Sequence, residues 1–245
     1  MAPSDLCVMI GMPAYKDMPW QVSKSLLETY RDWTALGGRL AITILSGSAV
    51  VTKARSDIVH RFLSSECNRL FWIDSDIEWK GSDFITLLGL TAHMDIVGAS
   101  YPMKSEPPTY CVTFTESQRA DGRIQANAHG CISVQGMGLG FTVMSREVVE
   151  KVAASKPWIL DEMENRFIRD VFRIDTVPLN RVGVEGECPP ELVGKPLSGW
   201  RGEDMAFFAD CREQGYQVWM CPGIDLGHIG AKTYRGPMGQ GVTRE

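Results

Sequence analysis

Two aspartates, Asp74 and Asp76, end the apolar run in the segment FWIDSDIEW, with one serine between them. Alternate residues of a strand share a face, so the two carboxylates point the same way if extension continues. Two anions side by side call for a cation. Carboxylate oxygens suit hard ions such as Mg²⁺ and Mn²⁺, and Mg²⁺ is commonly held by one or two carboxylates plus substrate phosphates. A diphosphate ligand follows from that chemistry, whereas plain strand termination with capping of the next helix is the reading without it. A second acidic pair, Glu203 and Asp204 in WRGEDMAFF, heads a predicted helix behind a Gly-rich loop. First-turn acids there serve either as proton acceptors or as simple compensation of the helix dipole.

Three further groups have the types and settings that chemistry needs. Lys53 and Arg55 in TKARSDIVHRF sit at a helix start, where the dipole already favours anions, so the cations are locally out of place. His228 lies in GHIG, where Gly227 and Gly230 permit close approach of a ligand. In GMPAYKD, Gly11 and Pro13 shape a turn whose backbone could bond a base edge, and Tyr15 offers a ring for stacking. The segment QGMGLGFTVMS carries glycines at i, i+2 and i+4, which on a strand would leave one face open. Trp200 and Arg201 flank the acidic pair and could stack on and bond a sugar, or only anchor their loop.

The elements that must position these residues alternate through the first hundred positions. LCVMIG, RLAITIL, RLFWID and MDIVGASYP read as strands buried on both faces. Between the first two, Val22, Leu26, Leu27, Tyr30 and Trp33 recur at helical spacing, and the Gly37–Gly38 pair closes that helix. A second helix carries Ile58, Val59, Phe62 and Leu63, and a third, GSDFITLLGL, has Ser82 or Asp83 as its expected N-cap. Strands alternating with helices imply a parallel sheet, because parallel neighbours need crossovers. From Thr109 the chain turns to strands and Gly-rich turns, with helices expected only after Ser145 and from Glu203 to Gln214. EGECPPELVGKPLSGW reads as a long loop. We expect one α/β domain with a mixed, mostly parallel sheet flanked by helices. Its subregions are a nucleotide-binding part of about residues 6–104, an acceptor-binding part of about 105–230, and a flexible tail of 231–245.

Composition narrows the function classes. The 245 residues carry 25 Lys and Arg against 30 Asp and Glu, a net charge of -5, which is no nucleic-acid footprint. A local basic groove near Lys195, Arg201, Lys232 and Arg235 still leaves nucleic acid open as an unfavoured acceptor. The seven cysteines are scattered without a C-x-x-C spacing, so reduced thiols are expected rather than a zinc site or a disulfide framework. Neither a signal peptide nor a transmembrane run is evident, and the expected compartment is the cytoplasm.

IGMPAY, ARSDIVHRFL, WIDSDIEW, GLGFTVMSREVVEKV, GED and GHIG occur in that order from about Val8 to Gly230. Together they resemble the GT-A family of nucleotide-sugar-dependent glycosyltransferases, most of all small stand-alone bacterial and viral members. The resemblance implies a GT-A, Rossmann-like fold and a metal-dependent transferase. It would move a sugar from a nucleoside diphosphate, with UDP the expectation, to a hydroxyl acceptor, chiefly a glycan or glycoconjugate. It implies that Asp76 is a direct ligand of Mn²⁺ or Mg²⁺, that Asp74 contacts ribose or metal-bound water, and that His228 is a third protein ligand. Pro13, Ala14 and Tyr15 would hold the nucleobase, Arg55 the ribose or diphosphate, and Asp57 would lie near the nucleoside. The Gly-rich strand would line the pocket below the sugar, and the C-terminal tail could close over the diphosphate. Inverting transfer needs a carboxylate to take the acceptor proton, a role the resemblance carries to Asp204, with Glu203 binding acceptor.

Other readings are weaker. A D-x-D phosphatase would have Thr or Val close after its pair and would carry it on the first strand, where this chain has Ile77, Glu78 and Trp79 on a later one. A G-G-x-G-T-R loop and a G-x-G-x-x-G are both missing after the first strand, against a nucleotidyltransferase and a dinucleotide fold. Glycosylation of a hydroxylated base in viral DNA and non-catalytic, metal-dependent binding of a sugar or nucleotide are the alternatives that stay open.

Overall fold

A computed structural model of the chain describes residues 2–15, 17–115, 118, 124–236 and 238. The first half alternates as expected: β1 (Cys7–Ala14), α1 (Trp20–Ala35), β2 (Arg39–Ser46), α2 (Val51–Leu63), β3 (Arg69–Ile73), the short β4 (Ile77–Glu78), α3 (Gly81–Leu90) and β5 (Ile96–Gly98). The second half supplies β6 (Val112–Phe114), β7 (Ile132–Met137), β8 (Phe141–Ser145), α4 (Arg146–Ala154), and the hairpin β9 (Trp158–Asp161) and β10 (Arg166–Arg169). It continues with β11 (Asp175–Val182), β12 (Pro196–Arg201), α5 (Glu203–Glu213), β13 (Val218–Met220), β14 (Gly227–Ile229) and β15 (Thr233–Arg235).

Eight strands form one sheet in the order β2-β1-β3-β8-β5-β13-β7-β6. β1 runs parallel to both β2 and β3, and β5 parallel to β13. β8 runs antiparallel to both neighbours, β3 and β5, and β7 runs antiparallel to β13. The fold is therefore a mixed α/β sheet flanked by helices, in line with the expected α/β class. Every residue of β8 is buried, so a strand from the second half fills the gap between two strands of the first.

Each face of the sheet has its own apolar layer. Helices α1 and α3 cover one with Val22, Leu26, Trp33, Phe84, Leu87 and Leu88. Phe71 of β3 is stacked on Phe84 at 4.5 Å and set edge-on to Phe141 of β8 at 5.0 Å. Helices α2, α4 and α5 cover the other, with Ile58, Phe62, Val148, Val152, Phe207 and Phe208. The caps follow local chemistry. The Ser145 Oγ accepts the Val148 N–H at the head of α4. At α3 the expected cap shifts: Lys80 takes the N-cap position, and the Asp83 carboxylate accepts the Lys80 N–H at 3.1 Å from one turn inside.

Four expectations are corrected. RLAITIL forms β2, but no residue of it is buried, because β2 is an edge strand of the sheet. The Pro- and Gly-rich stretch before Trp200 is not all loop, because residues from Pro196 on form β12 against β11. NRFIRDVFRI is a strand only over Arg166–Arg169. Of the expected tail of residues 231–245, Thr233–Arg235 form β15 against β14, while position 237 and positions 239–245 lie outside the described residues. No described helix is long and apolar enough to cross a membrane.

Candidate active site

β1 and β3 lie side by side and end together, and a cavity of about 320 Å³ opens beyond their carboxyl ends. That is where open α/β sheets place ligands. Its walls include Pro13, Ala14 and Tyr15 after β1, Asp74, Ser75 and Asp76 after β3, Arg55 of α2, and Glu203 and Asp204 at the head of α5. Residues scattered over about 190 positions of chain thus reach one cavity because β1 and β3 end, and α2 and α5 begin, at its rim.

The two aspartates do not share a strand face. Strand pairing persists to Asp74, whose N–H donates to the Gly140 carbonyl at 3.0 Å, but a turn follows, closed by the Ile77 N–H on the Asp74 carbonyl at 3.1 Å. The carboxylates accordingly take different partners. Asp74 accepts from Arg55 Nη2 at 3.0 Å and from the Tyr101 hydroxyl at 3.1 Å. Asp76 accepts from Lys104 Nζ at 2.6 Å and lies 3.3 Å from His228 Nε2.

Arg55 organises one side of the cavity. Its side chain is 3% exposed and faces Asp74, Asp204 Oδ1 at 3.3 Å and Glu203 Oε1 at 3.8 Å. Burial pulls its pKa down, but Asp74, Asp204 and Glu203 outweigh that, so the guanidinium is held charged more firmly than usual. Three carboxylates around one buried cation leave excess negative charge. Burial, with Asp74 and Glu203 adding to it against Arg55, pushes the Asp204 carboxyl up to about 6. Its Oδ2 accepts the Leu139 N–H at 3.1 Å, which fixes the carboxylate in place. Burial, together with Asp74 and Asp204, raises Tyr101 well above its ordinary range, so it stays a neutral donor.

His228 arrives through a pairing invisible in the local sequence. β14 runs antiparallel to β4 with His228 opposite Ile77, and the Ile229 N–H donates to the Asp76 carbonyl at 2.8 Å. The His228 Nδ1 is 2.9 Å from the Pro102 carbonyl, which can only accept, so Nδ1 carries a proton and Nε2 is the nitrogen that faces Asp76. Burial raises the Asp76 pKa, but His228 and Lys104 together outweigh it and hold the carboxylate below its usual range.

The expected three-ligand set of Asp74, Asp76 and His228 is not assembled. Among the described residues no three His, Cys, Asp or Glu side chains are grouped so as to hold a metal ion, because the turn sends Asp74 to Arg55 and leaves Asp76 with His228. Asp57 also stands apart. It lines a neighbouring cavity of about 220 Å³, where it is bonded to Arg61 and Arg166. The cause is helical geometry: positions i and i+2, here Arg55 and Asp57, point to nearly opposite sides of α2.

The three glycines of QGMGLG give room rather than an open face. A methyl at Gly140 would come within 2.7 Å of Asp74 Cγ, and one at Gly138 within 2.7 Å of the Tyr101 hydroxyl. A methyl at Gly136 would meet Met205 Sδ at 2.7 Å. Lys53 is paired with Asp161 at 2.9 Å and Arg201 with Asp175 at 2.5 Å, whereas Trp200 is 82% exposed. His60, His93 and His129 lie outside the cavity lining, the last two with rings stacked at 4.3 Å. All seven cysteines are free.

Sequence reasoning missed Tyr101 and Lys104. Both follow β5 in SYPMK; the expected strand MDIVGASYP runs through Tyr101, and the available signal was their place about its carboxyl end, the same rule that picked out Asp74.

The fold and site together define an α/β protein with an acidic cavity at its strand ends. No family model matches the chain, and no curated protein matches it. Among solved structures it is similar to A197 from STIV, with a TM-score of 0.54 at 17% identity over 92% of this chain and 86% of that one. That likeness is one of fold. GalNAc-T7, crystallised with UDP, GalNAc and Mn²⁺, matches at a TM-score of 0.47 and 11% identity, over 93% of this chain and 44% of that one. At that score the likeness carries no argument about this chain.

Proposed function

We propose that the chain is a divalent-metal-dependent glycosyltransferase that moves a sugar from a nucleoside diphosphate, UDP being the first choice, to a hydroxyl of a glycan or glycoconjugate. The observation that carries this reading is the meeting of Arg55 with Asp74, Glu203 and Asp204 in one strand-end cavity, beside the Asp76–His228 pair. The buried Nε and Nη1 of Arg55 and Oδ1 of Asp204 have no hydrogen-bond partner among the described residues. They are held instead by longer ion pairs, Arg55 Nε to Glu203 at 3.8 Å and Arg55 Nη2 to Asp204 Oδ1 at 3.3 Å, with the guanidinium over the Trp72 and Phe172 rings.

The donor set suits a cation. Asp76 offers carboxylate oxygen and His228 its imidazole Nε2, a pairing that accepts Mn²⁺ or Mg²⁺ with diphosphate oxygens and water filling the shell. When bound, such an ion would offset the charge that grows on the departing diphosphate. Asp74, held by Arg55 and Tyr101, would contact ribose or water rather than bond the metal directly. Pro13, Ala14 and Tyr15 line the end of the cavity suited to the base. Asp204, titrating near 6, is a carboxylate at neutral pH and basic enough to take the acceptor hydroxyl's proton, which gives inversion. Glu203, beside it, would bond the acceptor. In this division residues of about 6–104 bind the nucleotide and those of about 105–230 shape the acceptor side.

The test is a panel of nucleotide sugars with Mn²⁺ or Mg²⁺, scored by thermal shift and by release of nucleoside diphosphate. Stabilisation that grows with ligand concentration, and that Asp76→Ala abolishes while leaving the unliganded melting point unchanged, supports the reading. A panel that shifts nothing overturns it.

A further inference from the structure

Lys104 reaches Asp76 of the cavity lining and is left unused by the proposed chemistry. Its Nζ stands 2.6 Å from the same Asp76 Oδ2 that faces His228 Nε2 at 3.3 Å. A positive charge already sits at the carboxylate and imidazole that suit a metal ion.

The loop that carries Lys104 is built for that position. It is closed at its base by the bridge between Pro102 and Tyr110 and by the Met103 N–H on the Thr109 carbonyl at 2.7 Å. Pro102 accepts the His228 Nδ1 proton, so one loop orients the imidazole and delivers the ammonium. An ion pair of Glu106 with Lys232, and the Tyr110 hydroxyl on the Gly236 carbonyl at 2.9 Å, fasten the loop to the β14–β15 hairpin. Gly230 admits the lysine stem, since a methyl there would lie 3.0 Å from Lys104 Cδ. The neighbouring cations differ: Lys232 is matched to Glu106 and Arg235 to Glu78, acids outside the cavity lining, whereas Lys104 is matched to an acid within it.

We propose that Lys104 is a tethered counter-ion that occupies Asp76 in the ligand-free protein and moves to the diphosphate of the donor when a divalent cation takes its place. The inference rests on the metal-site reading given above. Lys104 Nζ and His228 Nε2 face the same Asp76 Oδ2, so a divalent ion seated between that oxygen and the imidazole would meet the ammonium at close range and repel it. The displaced ammonium is a compact charge on a flexible stem, and the anion that arrives with the metal is the nearest uncompensated one. Metal alone must therefore displace Lys104 and binds weakly, whereas metal with diphosphate gives the lysine a new partner and binds well. The two ligands are coupled through one side chain, and each strengthens the other by the same factor.

The experiment measures binding rather than turnover. Mn²⁺ alone is titrated into wild type, Lys104→Met and Lys104→Arg, with free Mn²⁺ read by electron paramagnetic resonance. UDP and GDP are then titrated calorimetrically at saturating Mn²⁺. Lys104 is partly exposed, so the shifts are modest: Lys104→Met should bind Mn²⁺ alone about three- to tenfold more tightly and nucleoside diphosphate about three- to tenfold more weakly. Lys104→Arg, which keeps the charge, should stay near wild type in both. Shifts of the same sign in Lys104→Met, or no shift in either, overturn the role of Lys104 while the metal site stands. Failure of the wild type to bind Mn²⁺ with either nucleotide overturns the functional reading itself, and this inference falls with it.

Discussion

Asp204 shows how one residue's environment decides its chemistry. Its side chain is 19% exposed and shares a buried guanidinium with two other carboxylates, and the balance leaves its pKa at about 6. Because the group is raised in the folded state, its stabilising contribution is complete below the ordinary carboxyl range. That contribution is lost as pH rises through about 6. Asp204→Asn, which cannot ionise, should therefore melt about 2–4 °C higher than wild type at pH 7.5, and the gain should vanish below about pH 4. Activity runs the other way. If Asp204 is the base, kcat/KM should rise with pH to a plateau above about 6, and Asp204→Asn should lose about 10²–10⁴-fold and the acid limb with it. The limb belongs to the coupled set of Asp74, Glu203 and Asp204 as a whole, so Glu203→Gln should move its midpoint down. A variant that keeps its activity with an unmoved profile would remove Asp204 from the chemistry.

At the scale of elements, what could be read from the sequence was whatever is encoded locally. Apolar runs marked β1, β2, β3 and β5. The N-cap at Ser145 and the stop before Gly215 bounded α4 and α5, because caps and strand burial depend on residues a few positions apart. The candidate site was legible as a set of acids and loops at strand ends, but not as a geometry. A single turn after Ile73 parts Asp74 from Asp76, and the pairing that brings His228 to Asp76 spans 150 positions. The glycines after β7 are the sharpest case: a spacing that suggests an open strand face marks a loop pressed against Asp74 and Tyr101. Gly140→Ala should push the Asp74 carboxylate off Arg55 and Tyr101, lowering stability by about 1–3 kcal/mol in urea melts and weakening nucleotide binding. Gly89 on α3 has open space around it, so Gly89→Ala should be neutral or stabilise by up to about 1 kcal/mol. Equal effects from the two substitutions would mean that the fit around Asp74 is looser than its contacts indicate.

For the whole molecule the decisive fact is that the sheet does not divide where the chain's character changes. β8 lies between β3 and β5, antiparallel to both and buried along its full length, so the first half cannot close its own sheet. A fragment of residues 1–104 would leave β3 and β5 with unpaired edges where β8 belongs and would expose Phe71, which packs on Phe141. The two apolar layers likewise each draw on both halves, with Val148 and Phe207 beside Ile58, and Phe141 beside Phe84. Such sharing makes unfolding cooperative. The intact chain should unfold in a single transition, with far-ultraviolet circular dichroism and tryptophan fluorescence giving the same midpoint, and the 1–104 fragment should lack dispersed amide resonances. Dispersed resonances from the fragment, or two separated midpoints in the full chain, would show a nucleotide-binding half that stands alone. The cavity would then lie between independently stable parts, and Arg55 and Asp204, which come from different halves, would be joined by docking rather than by a common fold.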